Sequence, residues 1–105
     1  MTTAEKAYTT VSTKMAEEGA QISKMFGMPT LKINGKAFAG FANEAMIFKL
    51  AAEAHALALQ ERGSKLFEPT PGRQMKEWVQ VPTTSSNKWL FFAHSAKDYC
   101  FKSKK

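Results

Sequence analysis

The dipeptide Asn34-Gly35 constrains this chain more than any other pair of residues in it. It stands between two short alternating runs, Leu31-Lys32-Ile33 and Lys36-Ala37-Phe38. A two-residue hairpin turn that follows the right-handed twist of its strands needs φ > 0 at both central positions, which Asn and Gly tolerate. Such a loop pairs Ile33 with Lys36 and Leu31 with Phe38. That register sets Leu31, Ile33 and Phe38 on one face and Lys32, Ala37, Ala39 and Phe41 on the other. Gly40, inside Ala37–Phe41, is expected to mark a bulge or a close backbone approach. A second turn near Asn43-Glu44 leads into Met46–Leu50, where Met46, Phe48 and Leu50 alternate with Ile47 and Lys49. A short strand over Ile22–Phe26 is expected to precede this meander. Both faces then carry apolar residues, so helices cover both sides or one side meets another molecule.

The flanking segments read as helices. Ala4, Ala7, Tyr8, Val11 and Met15 recur at helical spacing, predicting a helix over 3–18 with Gly19 as its C-cap. Residues 51–62 form an Ala- and Leu-rich helix ending at Arg62-Gly63. Residues 67–73 (FEPTPGR) are expected to be a rigid Pro-rich loop, and 75–81 (MKEWVQV) a further strand. Thr83–Asn87 offers N-caps for a last helix over 87–101. There Trp89, Phe92, Ala93, Ala96 and Cys100 share one face, while Phe91 points away. The predicted order is α-(β)-β-β-β-α-β-α, an α+β fold with an antiparallel sheet flanked by helices. At 105 residues this is one domain with one core.

Charge limits the partners. The formal net charge is +6, and the excess lies at the C-terminal end, where Lys88, Lys97, Lys102, Lys104 and Lys105 face Asp98 alone. Residues 102–105 are expected to be a disordered tail. A basic balance permits polyanion binding. With Arg62 and Arg73 the only arginines, the fork that reads base edges is scarce, which argues against sequence-specific DNA reading. The first residues lack the apolar run of a secretory signal, no window is long enough for a membrane span, and Cys100 is the single cysteine. A cytoplasmic, non-membrane protein is expected.

Motifs for catalysis are missing. His94 lies six positions before Cys100, so on a helix the two side chains diverge by roughly 120°. Cys100 therefore reads as a small core residue. His55, His94 and Cys100 show no metal-ligand spacing. The glycines form no phosphate cradle, and the carboxylates are scattered singly. No enzyme activity, metal or cofactor is expected.

Contact residues are the better candidates. Arg73, at the entry to a strand, reads as a brace for its loop or as an anion contact. Alternation sets Lys76, Trp78 and Gln80 on one face of the last strand. Should Trp78 share an open face with Lys32 or Lys49, that surface is aromatic and basic, able to stack bases and track phosphates. The competing reading puts Trp78 under a helix, with Lys76 snorkelling at the rim. Phe91, out of phase with its helix, is a candidate protein contact.

An ordered set of short elements resembles the TfoX N-terminal domain family. These are Met25-Phe26-Gly27, the Asn34-Gly35-Lys36 turn followed by Ala37–Gly40, Ile47–Leu50, and Gly72-Arg73 ahead of Met75–Pro82. The likeness runs from about residue 5 to residue 100. It implies a small α+β fold related in architecture to YjbR-like proteins. It also implies structural roles for Met25, Phe26, Gly27, Gly35, Gly72 and Arg73, and no catalytic residues. Named members are regulators of bacterial competence that carry a second domain. With no catalytic spacing, apolar residues on both sheet faces and Phe91 out of phase, the expectation is a stand-alone, non-enzymatic regulatory module of this kind acting through protein contacts, its own dimer included. The association of YjbR-like proteins with DNA makes nucleic-acid binding the alternative.

Overall fold

The computed structural model describes residues 3–25, 28–42, 44–70 and 72–102. Helix α1 (Thr3–Glu17) is followed by strands β1 (Gln21–Met25), β2 (Met28–Ile33), β3 (Lys36–Ala42) and β4 (Ala45–Lys49). Helix α2 (Ala52–Gln60), strands β5 (Lys65–Thr70) and β6 (Arg73–Pro82), a 3₁₀ segment (Thr83–Lys88) and helix α3 (Trp89–Lys102) complete the chain. All six strands form one antiparallel sheet in the order β1-β2-β3-β4-β6-β5. The fold is α+β.

The Asn34-Gly35 turn forms as its residue types require, with φ of 52° and 78°. Ile33 pairs with Lys36 as expected. The next expected pair does not form. Leu31 pairs with Ala39 because a β-bulge inserts Phe38 as an extra residue in β3. The bulge shifts the parity of everything beyond it, so Ala39 and Phe41 turn to the face of Leu31 and Ile33. Phe38 and Ala39 both lie fully buried in the same core cluster. Gly40 is therefore not the bulge. It is a close approach: a Cβ there would stand 3.1 Å from the Pro29 carbonyl oxygen and 3.4 Å from Ile47 Cγ1.

The expected loop over 67–73 is a second departure. Residues 65–70 form β5, paired with β6 from Lys65↔Gln80 to Thr70↔Arg73. Pro69 misleads the sequence reading because an edge strand tolerates a missing backbone donor, and β5 is an edge of the sheet. Gly72, at φ +85°, turns the hairpin and donates its N–H to Glu68 Oε2 at 2.9 Å. The observed order thus has four strands before α2 and two after it. A 3₁₀ turn opens the last helix, and α3 reaches Lys102. Of the tail predicted over 102–105, Lys102 ends α3, and residues 103–105, with Phe26, Gly27, Asn43 and Pro71, lie outside the described residues.

One core holds the layers together. Ala4, Tyr8, Val11 and Met15 of α1, Ala58 of α2, and Trp89, Phe92, Ala93, Ala96 and Cys100 of α3 pack on Leu31, Ile33, Phe38, Ala39, Met46, Phe48, Val79 and Val81. These strand residues share one face by alternation and by the pairs Ala39↔Phe48, Phe48↔Val79 and Met46↔Val81. Gly19 closes α1 at φ 99°, and Ala20 donates back to the Met15 carbonyl at 3.0 Å. Glu61, past the end of α2, accepts from Ser85 Oγ at 2.9 Å and Lys88 Nζ at 2.8 Å, fastening α2 to the start of α3. Those two donors hold its carboxyl below the usual range.

Tyr8 carries an uncompensated group in this core. Its ring lies 5.3 Å from that of Phe41, and its buried hydroxyl has no hydrogen-bond partner among the described residues. Burial pushes the phenol up to about 12. An unpaired buried hydroxyl loses its water without replacement, so Tyr8→Phe is expected to stabilise the fold by about 1 kcal/mol. Urea unfolding of both proteins checks this; a Tyr8→Phe protein less stable than the parent would show that the hydroxyl is satisfied.

Candidate functional site

All three helices contribute to the core on one face of the sheet. The opposite face has no described helix packed into it and carries a different set of side chains. Across all six strands runs the row Ser23–Thr30–Gly40–Ile47–Gln80–Lys65, each neighbour a register partner of the next. Beside it runs a second row. Gln21 pairs with Lys32, Lys32 with Ala37, and Lys49 with Trp78, and Lys32, Lys49 and Trp78 each stand two residues along from Thr30, Ile47 and Gln80 of the first row.

The first row has a low relief at its centre. Gly40 has no side chain, and Ile47 leans over it within 3.4 Å of where a Cβ would be. Thr30 and Ile47 are buried. Thr30 Oγ1 is satisfied by the Met28 carbonyl at 2.9 Å. The second row rises beside this low strip. Lys32, Lys49 and Trp78 are all half-buried. At strand spacings of about 4.8 Å, Lys32 and Trp78 are ~14 Å apart across three strand gaps. The result is a strip whose centre, Thr30, Gly40 and Ile47, is buried, edged along one side by two half-buried lysines and a half-buried indole.

The far end of this row meets α3. Lys49 Nζ lies 3.9 Å from Glu77 Oε1, a long and solvent-screened contact. Glu77 Oε2 accepts the Tyr99 hydroxyl at 2.6 Å, and this bond raises the phenol's pKa. Beside it Cys100 is buried, and burial raises its thiol pKa against the opposing pull of Lys49 and Lys36. Its Sγ donates to the Ala37 carbonyl at 3.6 Å. His94 turns elsewhere: its Nε2 lies 2.7 Å from Glu18 Oε2, where it and Lys97 hold that carboxyl below the usual range. The thiol is thus a buried core group whose described partner is the Ala37 carbonyl, while His94 is engaged elsewhere.

The structure brings three of the six candidates together. Lys32, Lys49 and Trp78 share one row of the face opposite the core, and Trp78 is half-buried and outside the core cluster. Arg73 closes the β5–β6 hairpin through its backbone pair with Thr70, and Lys76 lies in β6; the side chains of both fall outside the described residues. Phe91 stands apart in the helical layer, 54% exposed, its ring edge-on to Phe92 at 5.2 Å. Ser23 and Lys65 join the face without having been singled out in the sequence, and Gln80 joins it as expected. Alternation along β6 marks Gln80, whereas Lys65 lies next to the segment misread as loop.

Among the described residues, no group of three His, Cys, Asp or Glu side chains could hold a metal ion, and no helix is long and apolar enough to cross a membrane. Comparison with protein-family models, with curated proteins and with solved structures returned no match.

Proposed function

We propose that this chain is a non-enzymatic, TfoX N-terminal-like binding module that acts through protein contacts, with the open sheet face receiving an acidic segment of its partner. The row Lys32–Ala37–Lys49–Trp78 carries this reading. It offers two ammonium groups and an indole along one side of the low strip, a span that suits an extended chain of about four residues at roughly 3.3 Å each. Carboxylates would meet the lysines, and the indole would cover an apolar stem.

The same row favours a second reading, a single-stranded nucleic acid held by phosphate contacts and one stacked base. The protein reading is preferred because Trp78 is the one large aromatic on this row, whereas stacking platforms offer an aromatic to each of several successive bases. The scarcity of arginine points the same way.

Trp78 is also the reporter. The other tryptophan, Trp89, is fully buried, so changes at the surface register on Trp78. Titration with a glutamate-rich peptide is expected to shift the indole emission at low salt, and Lys49→Glu is expected to weaken binding at least tenfold. A response to oligonucleotides alone, with a log–log salt slope of about −0.7 to −0.9 per phosphate, would establish the second reading. No response to either ligand would reduce the face to an ordinary solvated sheet surface.

A further inference from the structure

We propose that the outer edge of β1 pairs antiparallel with the same edge of a second copy of this chain. A sheet edge presents unpaired backbone donors and acceptors, and proteins protect such edges with proline, bulges or charge. The two edges here differ in this respect. β5 contains Pro69, and its pairing with β6 is broken by register shifts at Leu66/Phe67 and at Phe67/Thr70. β1 has neither proline nor bulge, and its one charge is Lys24: its five residues pair without interruption from Gln21↔Lys32 to Met25↔Met28. Its second residue is Ile22, 60% exposed and the most open large apolar side chain described.

The sequence of β1 is suited to pairing with itself. A twofold axis at Ile22 sets Ile22 of one copy directly against Ile22 of the other. Gln21 then faces Ser23, and Lys24 faces Ala20. The two lysines lie at opposite ends of the contact, with no like charges opposed. An axis at Ser23 would instead leave Ile22 against Lys24 and bring the two lysines to adjacent positions. The first register therefore satisfies both burial and charge. Ile22 pairs with core residue Leu31, so the contact joins the rims of the two helix-side cores.

Size and charge set the strength. Five residues span about 17 Å, a contact at the small end for stable interfaces, and each chain carries +6. The dimer is accordingly weak, forms with rising concentration, and strengthens with added salt as repulsion is screened. That salt dependence is opposite in sign to the one expected of an acidic ligand on the open face.

Light scattering over a concentration series at low and high salt tests this. The mass should rise from monomer to dimer, more completely at high salt, and Ile22→Lys should hold the protein monomeric. Ile22→Cys should form an interchain disulfide with mild oxidant. Lys24→Cys should not, because its two thiols would lie ~14 Å apart along the strands. The cross-link reads the pairing even if Ile22→Lys fails to fold. A monomer at every concentration, a dimer that survives Ile22→Lys, or an Ile22→Cys protein that does not cross-link would overturn the proposal. The inference shares with the proposed function the premise of protein contacts, but it uses a different surface. Loss of β1 pairing with the Trp78 titration intact, or the reverse, shows which of the two has failed.

Discussion

Trp89→Ala is expected to cost about 3–5 kcal/mol, a large share of the stability of a domain whose whole stability is about 5–15 kcal/mol. Trp89 opens α3 and is fully buried, the largest side chain in the core. Its Nε1 donates to the Val81 carbonyl at 3.2 Å, tying the first turn of the helix to the end of β6. Truncation to alanine opens a cavity beside Val81 and leaves that carbonyl without its partner, so packing and polar penalties combine. Trp89→Phe separates the two contributions. It keeps most of the volume and loses the N–H, and about 1–2 kcal/mol of destabilisation is expected. Urea unfolding followed by far-UV circular dichroism reads both, since the fluorescence of Trp89 is itself removed. A cost below about 1 kcal/mol for Trp89→Ala would show that the indole does not seat α3.

Local signals in the sequence carried far. Asn34-Gly35 specified the turn, the stripe from Ala4 to Met15 specified the buried face of α1, and Gly19 closed that helix. Each depends on φ or on periodicity within a few residues. What escaped depends on distant partners. β5 was concealed because Pro69 breaks a strand wherever its N–H is needed, and only the sheet order shows that on this edge it is not. A bulge in this stretch was signalled by Gly40, but its position at Phe38 was not, because no residue type marks Phe38 as the extra one. It is the helices on the far side of Leu31 that require Phe38 and Ala39 both to be buried.

The candidate face was legible in its parts and not in its assembly. Alternation assigned Lys49 and Trp78 each to a face of its own strand. Their opposition rests on β4 pairing with β6 across the intervening α2 and β5, a contact that no local pattern encodes. Phe91 was the reverse case. A helical wheel suffices to place it outside the core, and it is 54% exposed.

Ala39→Lys should unfold the protein, while Ala37→Lys should be tolerated, and the contrast tests the bulge directly. In an unbulged hairpin the two alanines lie two residues apart on the same face, so a lysine at either would meet the same surroundings. With Phe38 inserted, Ala37 pairs with Lys32 on the open face, whereas Ala39 pairs with Leu31 and is fully buried under the helices. An ammonium at position 39 would leave water with no carboxylate among the core residues around it, at an effective cost of several kcal/mol. Deprotonation relieves the charge but leaves a chain too long for a site filled by a methyl group. At position 37 a lysine can extend into solvent beside Lys32, where one more like charge costs a few tenths of a kcal/mol. Thermal unfolding of the two variants therefore reads the parity of β3. Equal behaviour would restore the straight register, return Phe41 to the open face and take it away from Tyr8. Unequal behaviour in the expected direction would assign to one extra residue the separation of the apolar face from the basic one on which the proposed function rests.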